Sequence, residues 1–363
     1  MKIAMIVSTF YPKVGGMGSV VFDEATRLVA LGHVVTVFTM KYPGLADEEK
    51  VEGINIQRIK SPVRCGDGGF VFGFPEKVKD FDLFHFHFPW FGVELALLKL
   101  KKSRLVITYH MDATPASFIK RLLVWLSDWL FAKKMFDQAE KVIVVDKDYF
   151  LHSKFKNVIP ESKIVEIGNA VEIPEVLPTR QFNKEKYSLL FVGNLLPLKR
   201  LDLLLSAMEE LKDKVKLTVV GGGYEEEKYK AMVADKKLTD AVEFVSYGFT
   251  KEKLTEYFQV ADCVVVPSDK ESFSLVAVMA MANGTPVVAS NIPGLRKRII
   301  DGVDGFLFTS GDKKDLVEKI NKCLTLGERE KGELIKKACA KVKEKYSWDN
   351  HMKKLLAVYG REN

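Results

Sequence analysis

Residues 264–288 read VVVPSDKESFSLVAVMAMANGTPVV: a buried strand, a polar loop, a helix of small residues and a second buried strand. The apolar run ends at Pro267, and the helix predicted from Ser274 ends at Gly284, a residue type that commonly terminates helices. In a parallel sheet, such a βαβ unit places its loop at the carboxyl edge, where ligands bind. We therefore expect the amides of residues 273–276 to hold a phosphate, with Glu271 accepting hydrogen bonds from hydroxyls or capping the helix.

The same alternation of strands and helices continues on both sides of this unit. It pauses at residues 172–182, where Pro174 and Pro178 stand among charged and polar residues and predict a linker. The sequence therefore predicts an α/β protein of two Rossmann-like, doubly wound domains that face a central cleft. Strands are predicted at 2–7, 33–39, 81–88, 104–109 and 141–145 before the linker, and at 187–192, 215–220, 242–245, 262–266, 286–289 and 306–308 after it.

The composition narrows the class of protein. The chain has 363 residues, 47% of them hydrophobic and 28% charged, which is typical of a globular protein of roughly two domains. No apolar run approaches the ~20 residues of a spanning helix, and the apolar opening at residues 3–7 is too short for a signal peptide. The four cysteines form no C-x-x-C pair, so a reducing cytoplasm is expected. The net charge of +7 permits an anionic partner without choosing one.

Two further loops carry residues suited to an anion. Residues 11–18 join the first strand to the first helix and contain Gly15 and Gly16, which let a ligand approach the backbone or simply form a turn. This loop lacks the G-x-G-x-x-G spacing of dinucleotide-binding proteins. Residues 193–200 end in Lys199 and Arg200 at a helix start, which suits an anion or a solvated basic helix end.

The pattern P-S-x-x-E-S-F-S-L-V followed by A-M-A-N-G-T-P-V-V resembles the signature of retaining, family 4 type glycosyltransferases of the GT-B fold (glycosyl transferases group 1). The resemblance covers nearly the whole chain. It includes Y-P-K-V-G-G and G-H-V-V-T-V near the start, I-T-Y-H at residues 107–110, and D-G-V-D-G-F-L at residues 301–307. It implies an N-terminal acceptor-side domain at 1–172 and a donor domain at 183–346. It also implies a closing helix at 347–363 that crosses back to the first domain.

The resemblance also implies a role for each matching residue. Lys199 would neutralise the donor diphosphate, Glu271 would bind hydroxyls of the transferred sugar, and His110 would line the sugar pocket. The alternative for His110 is a core histidine whose hydrogen bonds are satisfied within the protein. The residues implied in donor binding are Gly15, Gly16, Asn194, Arg200, Phe273, Ser274, Leu275 and Met279.

Three positions depart from the family pattern. Met279 stands where the family often has a second glutamate, and Asn194 where it commonly has an arginine. The acidic residue expected after Gly294-Leu295 is replaced within Arg296-Lys297-Arg298. Losing one charge-assisted contact costs ~1.5–3 kcal/mol, so we expect weaker nucleotide binding at these positions.

The sequence thus predicts a retaining glycosyltransferase that moves a sugar from a nucleotide diphosphate sugar to a glycan or lipid-linked acceptor. No metal and no other cofactor is expected, although His85 and His87 alternate on one strand face, and no nucleic-acid partner is expected. A degenerate protein that binds nucleotide or glycan without transfer is the alternative. A pyridoxal-dependent phosphorylase and an NAD enzyme are weaker readings.

One segment leaves the question of membrane contact open. Residues 120–134 carry Trp125 and Trp129 between basic residues at both ends. This pattern is found in interfacial helices that find a lipid-linked acceptor at the inner face of a membrane, but it is more often that of a buried helix of the domain.

Overall fold

The computed structural model describes residues 1–12, 15–65, 68–71, 74, 80–100, 103–113, 118–177, 185–246 and 251–360. The chain divides into two compact units, one of Met1–Asn169 with His351–Asn363 and the other of Ala170–Asn350. The predicted linker lies partly outside the described residues, since Pro178 is not among them.

The strands and helices alternate along most of the chain, as the sequence predicts. The strands are β1 Lys2–Ile6, β2 Val34–Met40, β3 Glu48–Val51, β4 Ile54–Ile59, β5 Arg64–Cys65, β6 Gly68–Gly69, β7 Leu83–Phe88, β8 Leu105–Tyr109, β9 Lys141–Val144, β10 Ile164–Glu166, β11 Tyr187–Val192, β12 Val215–Val220, β13 Val242–Val245, β14 Cys263–Val266, β15 Val287–Ser290 and β16 Phe306–Phe308. The helices are α1 Gly16–Ala30, α2 Glu94–Leu98, α3 Phe118–Ser127, α4 Lys133–Gln138, α5 Lys147–Leu151, α6 Leu201–Leu211, α7 Glu226–Asp235, α8 Lys251–Val260, α9 Leu275–Ala282, α10 Lys313–Thr325, α11 Glu328–Lys345 and α12 Trp348–Val358.

The first unit is built on an eight-stranded sheet. Its strand order is β10-β9-β8-β7-β1-β2-β4-β3, and every neighbouring pair is parallel except β3 with β4. The central strands β1, β7 and β8 are buried on both faces, because helices cover both sides of a parallel sheet. The carboxyl ends of β1, β7 and β8 therefore meet at one edge, where residues following these strands can share a site.

The hairpin of β3 and β4 is a feature that the sequence prediction missed. In β4, buried and half-buried residues alternate, and β3 is largely polar, as an edge strand should be. Glu52 and Gly53 join them with φ values of 50° and 79°. The alternation in I-N-I-Q-R-I beside a glycine was the available signal.

The second unit is built on a six-stranded, fully parallel sheet. Its strand order is β13-β12-β11-β14-β15-β16, with the order reversing between β11 and β14. Its core joins α6 and α10 to this sheet through buried leucines such as Leu204 and Leu316. Two parallel-sheet α/β domains confirm the predicted fold class. The loops after β11 and β14 lie at the point where strand order reverses, where doubly wound sheets bind ligands.

Glu94 makes the stability of the first unit dependent on pH. Its carboxylate accepts from the Gly92 amide at 2.8 Å, and burial raises its pKa from 4.5 to about 7. Between these values the folded state holds a proton that the unfolded state has lost, so the free energy of unfolding falls as pH rises through this window. The loss amounts to about 3 kcal/mol and is complete above pH 7.

We therefore expect Glu94→Gln to unfold at a urea concentration that depends less on pH than the wild type does. The free energy of unfolding of the variant should increase relative to that of the wild type as pH rises from 4.5 to 7. Urea denaturation at several pH values measures this difference. Glu243→Gln, at an exposed position in β13, is the control and should show no such gain. An equal gain for both variants would contradict the assignment to Glu94.

Candidate active site

The loop between β14 and α9 is the centre of the candidate site. Residues 267–274, here called the Glu271 loop, follow the fully buried strand β14. Ser274 is the N-cap of α9 and adopts a left-handed conformation with φ 64° and ψ 81°. This conformation costs a non-glycine residue about 1–3 kcal/mol and is found mainly at functional sites.

Lys199 and Glu271 form a close ion pair in this loop. The Lys199 Nζ lies 2.6 Å from the Glu271 Oε1, and the same oxygen accepts from the Ser268 hydroxyl at 3.0 Å. Their side chains are 23% and 12% exposed, so the pair is mostly shielded but open to a ligand. Within the described chain, the other oxygen of Glu271, Oε2, makes no hydrogen bond. One cation and one open carboxylate oxygen are thus side by side.

The backbone holds these two loops together. Lys199 ends a short 3₁₀ turn, Pro197–Lys199, that follows β11. The amide of Asp269 donates to the Leu198 carbonyl at 2.9 Å, which joins this turn to the Glu271 loop. The parallel pairing of β11 with β14 places both loops at the same edge of the sheet.

The N-terminus of α9 offers free donors beside this pair. No side chain caps its first turn, and that turn contains no acidic residue. The Ser274 hydroxyl is buried and has no hydrogen-bond partner among the described residues, and neither does the buried hydroxyl of Ser290, the last residue of the neighbouring strand β15. A buried polar group without a partner in the protein is uncommon, and a bound ligand or water can supply that partner. The amides, the helix dipole and the hydroxyl together suit an oxyanion such as phosphate.

Arg200, a predicted donor-binding residue, is held by carboxylates. Its guanidinium donates to both oxygens of Asp269 at 3.0 and 2.9 Å, and its Nε donates to Asp202 at 3.2 Å. The residue itself is left-handed, with φ 52°. Arg200 lies next to Lys199, but two carboxylates already balance its charge.

The remaining predicted residues of this unit lie around the same loops. Phe273 is buried, with its ring 5.3 Å from that of Tyr346 and 4.3 Å from the Arg298 guanidinium, so only its backbone is offered to a ligand. Leu275 and Met279 are half-buried residues of α9. Asn194 is exposed in the loop that follows β11.

Glycines permit the close packing of these loops. A Cβ at Gly221 would lie 2.0 Å from the Gly193 carbonyl oxygen, and one at Gly294 would lie 2.2 Å from the Glu271 carbonyl oxygen. Gly221 and Gly294 also have φ values of 151° and 85°. The glycine run after β12 therefore lets the backbone pack closely against the loop that carries Asn194. Gly294 likewise lets the backbone pack closely against the Glu271 loop.

The first unit holds the other predicted residues. Gly15 is the N-cap of α1 and Gly16 its first residue; both are exposed, and a Cβ on either would meet no atom of the described residues within 4 Å. His110 directly follows β8 and is buried. Its Nε2 lies 3.0 Å from the Nδ1 of His87.

His87 belongs to a buried polar cluster that sequence reasoning recognised only in part. Glu24 of α1 and His351 of α12 are joined by a 2.9 Å contact between Oε1 and Nε2, and the Tyr359 hydroxyl meets His85 Nδ1 at 2.6 Å. Glu24 lies on the buried, apolar face of α1, together with Val21, Ala25 and Leu28. A charged residue within an apolar stripe was the signal that could have found it.

Three buried histidines of the first unit, His85, His87 and His110, are neutral at ordinary pH. Burial lowers the pKa of His85 and of His110 to about 3, and it also holds the pKa of His87 well below its usual range. Each of these shifts is increased by the neighbouring histidines. Each ring therefore carries one N–H and one lone pair, and its hydrogen bonds decide which nitrogen holds the proton.

One group in the described part of the chain has metal-ligand composition. Glu24, His85 and His87 offer ligand atoms that all lie within 4.8 Å of one another. The two nitrogens of His85 are already engaged by Thr108 at 2.7 Å and by Tyr359 at 2.6 Å. Two open ligand atoms remain, fewer than the three that protein zinc sites usually supply.

Two family patterns match adjoining parts of the chain. Residues 14–174 match Glycosyltransferase Family 4, and residues 173–344 match Glycosyl transferases group 1. The chain therefore belongs to the GT-B glycosyltransferases, and one family pattern matches each half of it.

Individual relatives agree with this assignment. An uncharacterized glycosyltransferase of Methanocaldococcus jannaschii is 28% identical, over 99% of this chain and 98% of its own length. A D-inositol 3-phosphate glycosyltransferase of Acidothermus cellulolyticus is 35% identical over 47% of this chain, a match that spans only 40% of that relative. Among solved structures, a sucrose-phosphate synthase of Thermosynechococcus elongatus superposes with a TM-score of 0.81 at 23% identity, covering 99% of this chain and 98% of its own.

Proposed function

We propose that this protein is a retaining glycosyltransferase that moves a sugar from a nucleotide diphosphate sugar to a glycan or lipid-linked acceptor. The observation that carries the proposal is the Lys199–Glu271 pair at 2.6 Å, beside the uncapped N-terminus of α9 and the orphan hydroxyl of Ser274. A cation and free amides suit a diphosphate, and a carboxylate beside them suits the hydroxyls of the attached sugar.

The chemistry of transfer explains this arrangement. Breaking the bond between the anomeric carbon and phosphate builds negative charge on the leaving diphosphate. Lys199 and the amides of residues 275–277 stabilise that charge from fixed positions, which is the most effective form of electrostatic catalysis. Glu271 keeps Oε2 for a sugar hydroxyl while Oε1 orients Lys199.

The proposal includes no metal. Lys199 and the α9 dipole supply the positive charge that a divalent cation supplies in other transferases. Retention of the anomeric configuration is proposed from the family resemblance. We assign no side chain as a covalent nucleophile.

A second function is favoured by two observations. Arg200 is balanced by Asp269 and Asp202, and Asn194 and Met279 carry no charge where the family often does. A site with fewer cations holds a diphosphate less tightly, which suits a protein that binds a nucleotide or glycan without transfer.

Calorimetry with UDP, GDP, ADP and NAD separates these functions when it is combined with a turnover assay on the matching sugar nucleotide. HepE of Anabaena, 18% identical to this chain, has been solved with UDP and with UDP-glucose, so UDP-glucose is the first donor to test. Binding of one diphosphate with release of sugar supports the transferase. Binding without release supports the second function, and no binding of any diphosphate contradicts both.

We also propose a peripheral membrane contact through α3 and the π-helical turn Asp128–Ala132 that follows it. No helix in the described ranges has both the length and the apolar character needed to cross a membrane. Trp125 and Trp129 are 60% and 69% exposed and stack with their ring centroids 6.4 Å apart. Leu122, Leu126 and Leu130 are also exposed, and exposed Lys133 and Lys134 follow. An exposed aromatic and leucine face beside cations matches an anionic lipid surface.

Replacing both tryptophans should release the protein from vesicles. Each ring that leaves the interface forfeits ~1.5 kcal/mol or more, so we expect Trp125→Ala with Trp129→Ala to weaken binding about a hundredfold. Cosedimentation with phosphatidylglycerol-containing vesicles measures this loss. Tyr224→Ala, an exposed aromatic of the second unit, is the control and should bind as the wild type does. Wild-type protein that stays in the supernatant would contradict the contact.

A further inference from the structure

Four buried side chains of the first unit contact one another in sequence: His351, Glu24, His87 and finally His110. The Nδ1 of His351 lies 2.9 Å from the Gly168 carbonyl oxygen, and its Nε2 lies 2.9 Å from the Glu24 Oε1. The other oxygen of Glu24 lies 3.7 Å from the Nε2 of His87, and the Nδ1 of His87 lies 3.0 Å from the Nε2 of His110. Each of these contacts limits which of its two atoms can carry a proton.

The first contacts determine what Glu24 can offer. A carbonyl oxygen only accepts, so the Nδ1 of His351 must donate to Gly168. One proton then lies between the His351 Nε2 and the Glu24 Oε1, whichever of the two atoms holds it. In both cases Oε2 is left without a proton and can only accept. This oxygen is buried, and no described residue forms a hydrogen bond with it.

This acceptor determines the tautomer of His87. The Nε2 of His87 is buried, has no hydrogen-bond partner in the described part of the chain and faces the Glu24 Oε2 at 3.7 Å. A lone pair there would face an oxygen lone pair in a low-dielectric interior, whereas an N–H would be attracted by it. The neutral ring therefore carries its proton on Nε2, and its Nδ1 is an acceptor.

The same logic passes to His110. Because the His87 Nδ1 accepts, the proton of the 3.0 Å contact belongs to the His110 Nε2. A neutral imidazole with a protonated Nε2 has a lone pair on Nδ1. Within the described chain, that Nδ1 makes no hydrogen bond.

We propose that Glu24 and His87 are positioning residues that hold His110 in its Nε2–H tautomer, so that its Nδ1 accepts a hydrogen bond from a hydroxyl of the bound sugar. The assignment of the ligand rests on the proposed function, whereas the tautomer does not. An acceptor at this place selects for a hydroxyl and repels the oxygens of a phosphate or a carboxylate.

The neighbouring polar groups leave this arrangement undisturbed. The ring of His85 lies 4.1 Å from that of His87, centroid to centroid, but its two nitrogens meet Thr108 and Tyr359. His85 therefore competes for neither nitrogen of His87.

The tautomer can be read directly in the ligand-free protein. In protein labelled with ¹⁵N-histidine, two-bond proton–nitrogen correlations distinguish a protonated ring nitrogen from a bare one, and His110→Gln identifies the signals. We expect His87 and His110 both as Nε2–H tautomers. An Nδ1–H tautomer for His110 would overturn the proposal whether or not the protein transfers sugar.

Two variants of Glu24 separate positioning from simple packing. In Glu24→Gln, the amide nitrogen can donate to the His351 Nε2 while the amide oxygen faces His87, so the His110 tautomer should stay as in the wild type. Glu24→Met has a similar volume but no acceptor, and His110 should then show a mixture of tautomers. The same tautomer in both variants would overturn the role of Glu24.

Donor analogues test the ligand side. Among monodeoxy and monofluoro forms of the donor, we expect one position, besides any that Glu271 binds, at which both changes raise KM about two- to tenfold, since fluorine cannot donate. That penalty should persist in Glu24→Gln and shrink in Glu24→Met. A fluoro analogue that binds as well as the hydroxyl at every position would show that His110 does not accept from the sugar.

Discussion

Lys199→Ala is expected to lower turnover of the sugar nucleotide by about 10²–10³-fold, the usual effect of removing one preorganised charge from a transition state. Lys199 is the side-chain cation in contact with Glu271, at 2.6 Å. The variant should also weaken the binding of the bare nucleotide diphosphate and of its sugar-bearing form by the same factor. The reason is that the cation is proposed to contact the phosphates that both ligands share. Calorimetry and single-turnover kinetics measure the two effects.

Arg200→Ala is the matched control for this prediction. Arg200 is the adjacent cation, but Asp269 and Asp202 engage it, so its removal should change turnover much less. Glu271→Ala should weaken the binding of the sugar-bearing nucleotide more than the binding of the bare nucleotide. If Arg200→Ala lost as much turnover as Lys199→Ala, the phosphate contact would have to be reassigned to both cations.

Gly294→Ala is expected to destabilise the second unit by ~2–4 kcal/mol. The new Cβ would lie 2.2 Å from the Glu271 carbonyl oxygen and 2.9 Å from the Ser272 carbonyl carbon. Both atoms are backbone, so no side chain can swing away, and the φ of 85° is itself unfavourable for alanine. Because Glu271 must move, donor binding should weaken together with the stability, as measured by urea denaturation and calorimetry.

Gly332→Ala provides a control with the opposite sign. Gly332 lies inside α11, and a Cβ there would meet nothing within 4 Å in the part of the chain that the structure describes. Alanine favours a helix interior over glycine by ~0.5–1 kcal/mol, so this variant should be more stable than the wild type. Equal destabilisation by both substitutions would show that the Gly294 contact is not the cause.

The parts of this protein that follow local rules were predictable from sequence. The apolar runs of β11, β12 and β14 and the loop from Pro267 to Ser274 follow from strand patterning, glycine placement and the family resemblance. The Lys199–Glu271 contact was predictable only as a shared site, since the two residues lie 72 positions apart and pair through the register of β11 and β14.

The buried cluster of the first unit was not predictable in the same way. His85 and His87 were placed on one strand face, but their partners Glu24, His351 and Tyr359 come from α1 and from residues close to and within α12. Nothing in a local pattern pairs residues 327 positions apart. A polar residue within the apolar face of a helix shows that a partner is needed without showing which one.

The contacts of His351 and Tyr359 also set an order of events during synthesis. Glu24, His85 and His87 leave the ribosome long before residues 351–359, which lie 274 and 327 positions beyond their partners. Until those residues arrive, the polar interior of the first unit lacks the groups that satisfy it, and closing such long loops is slow. The second unit, whose chain is contiguous, can complete itself first. We therefore expect the unit translated first to reach its native state last, with its polar interior in need of protection while the nascent chain grows.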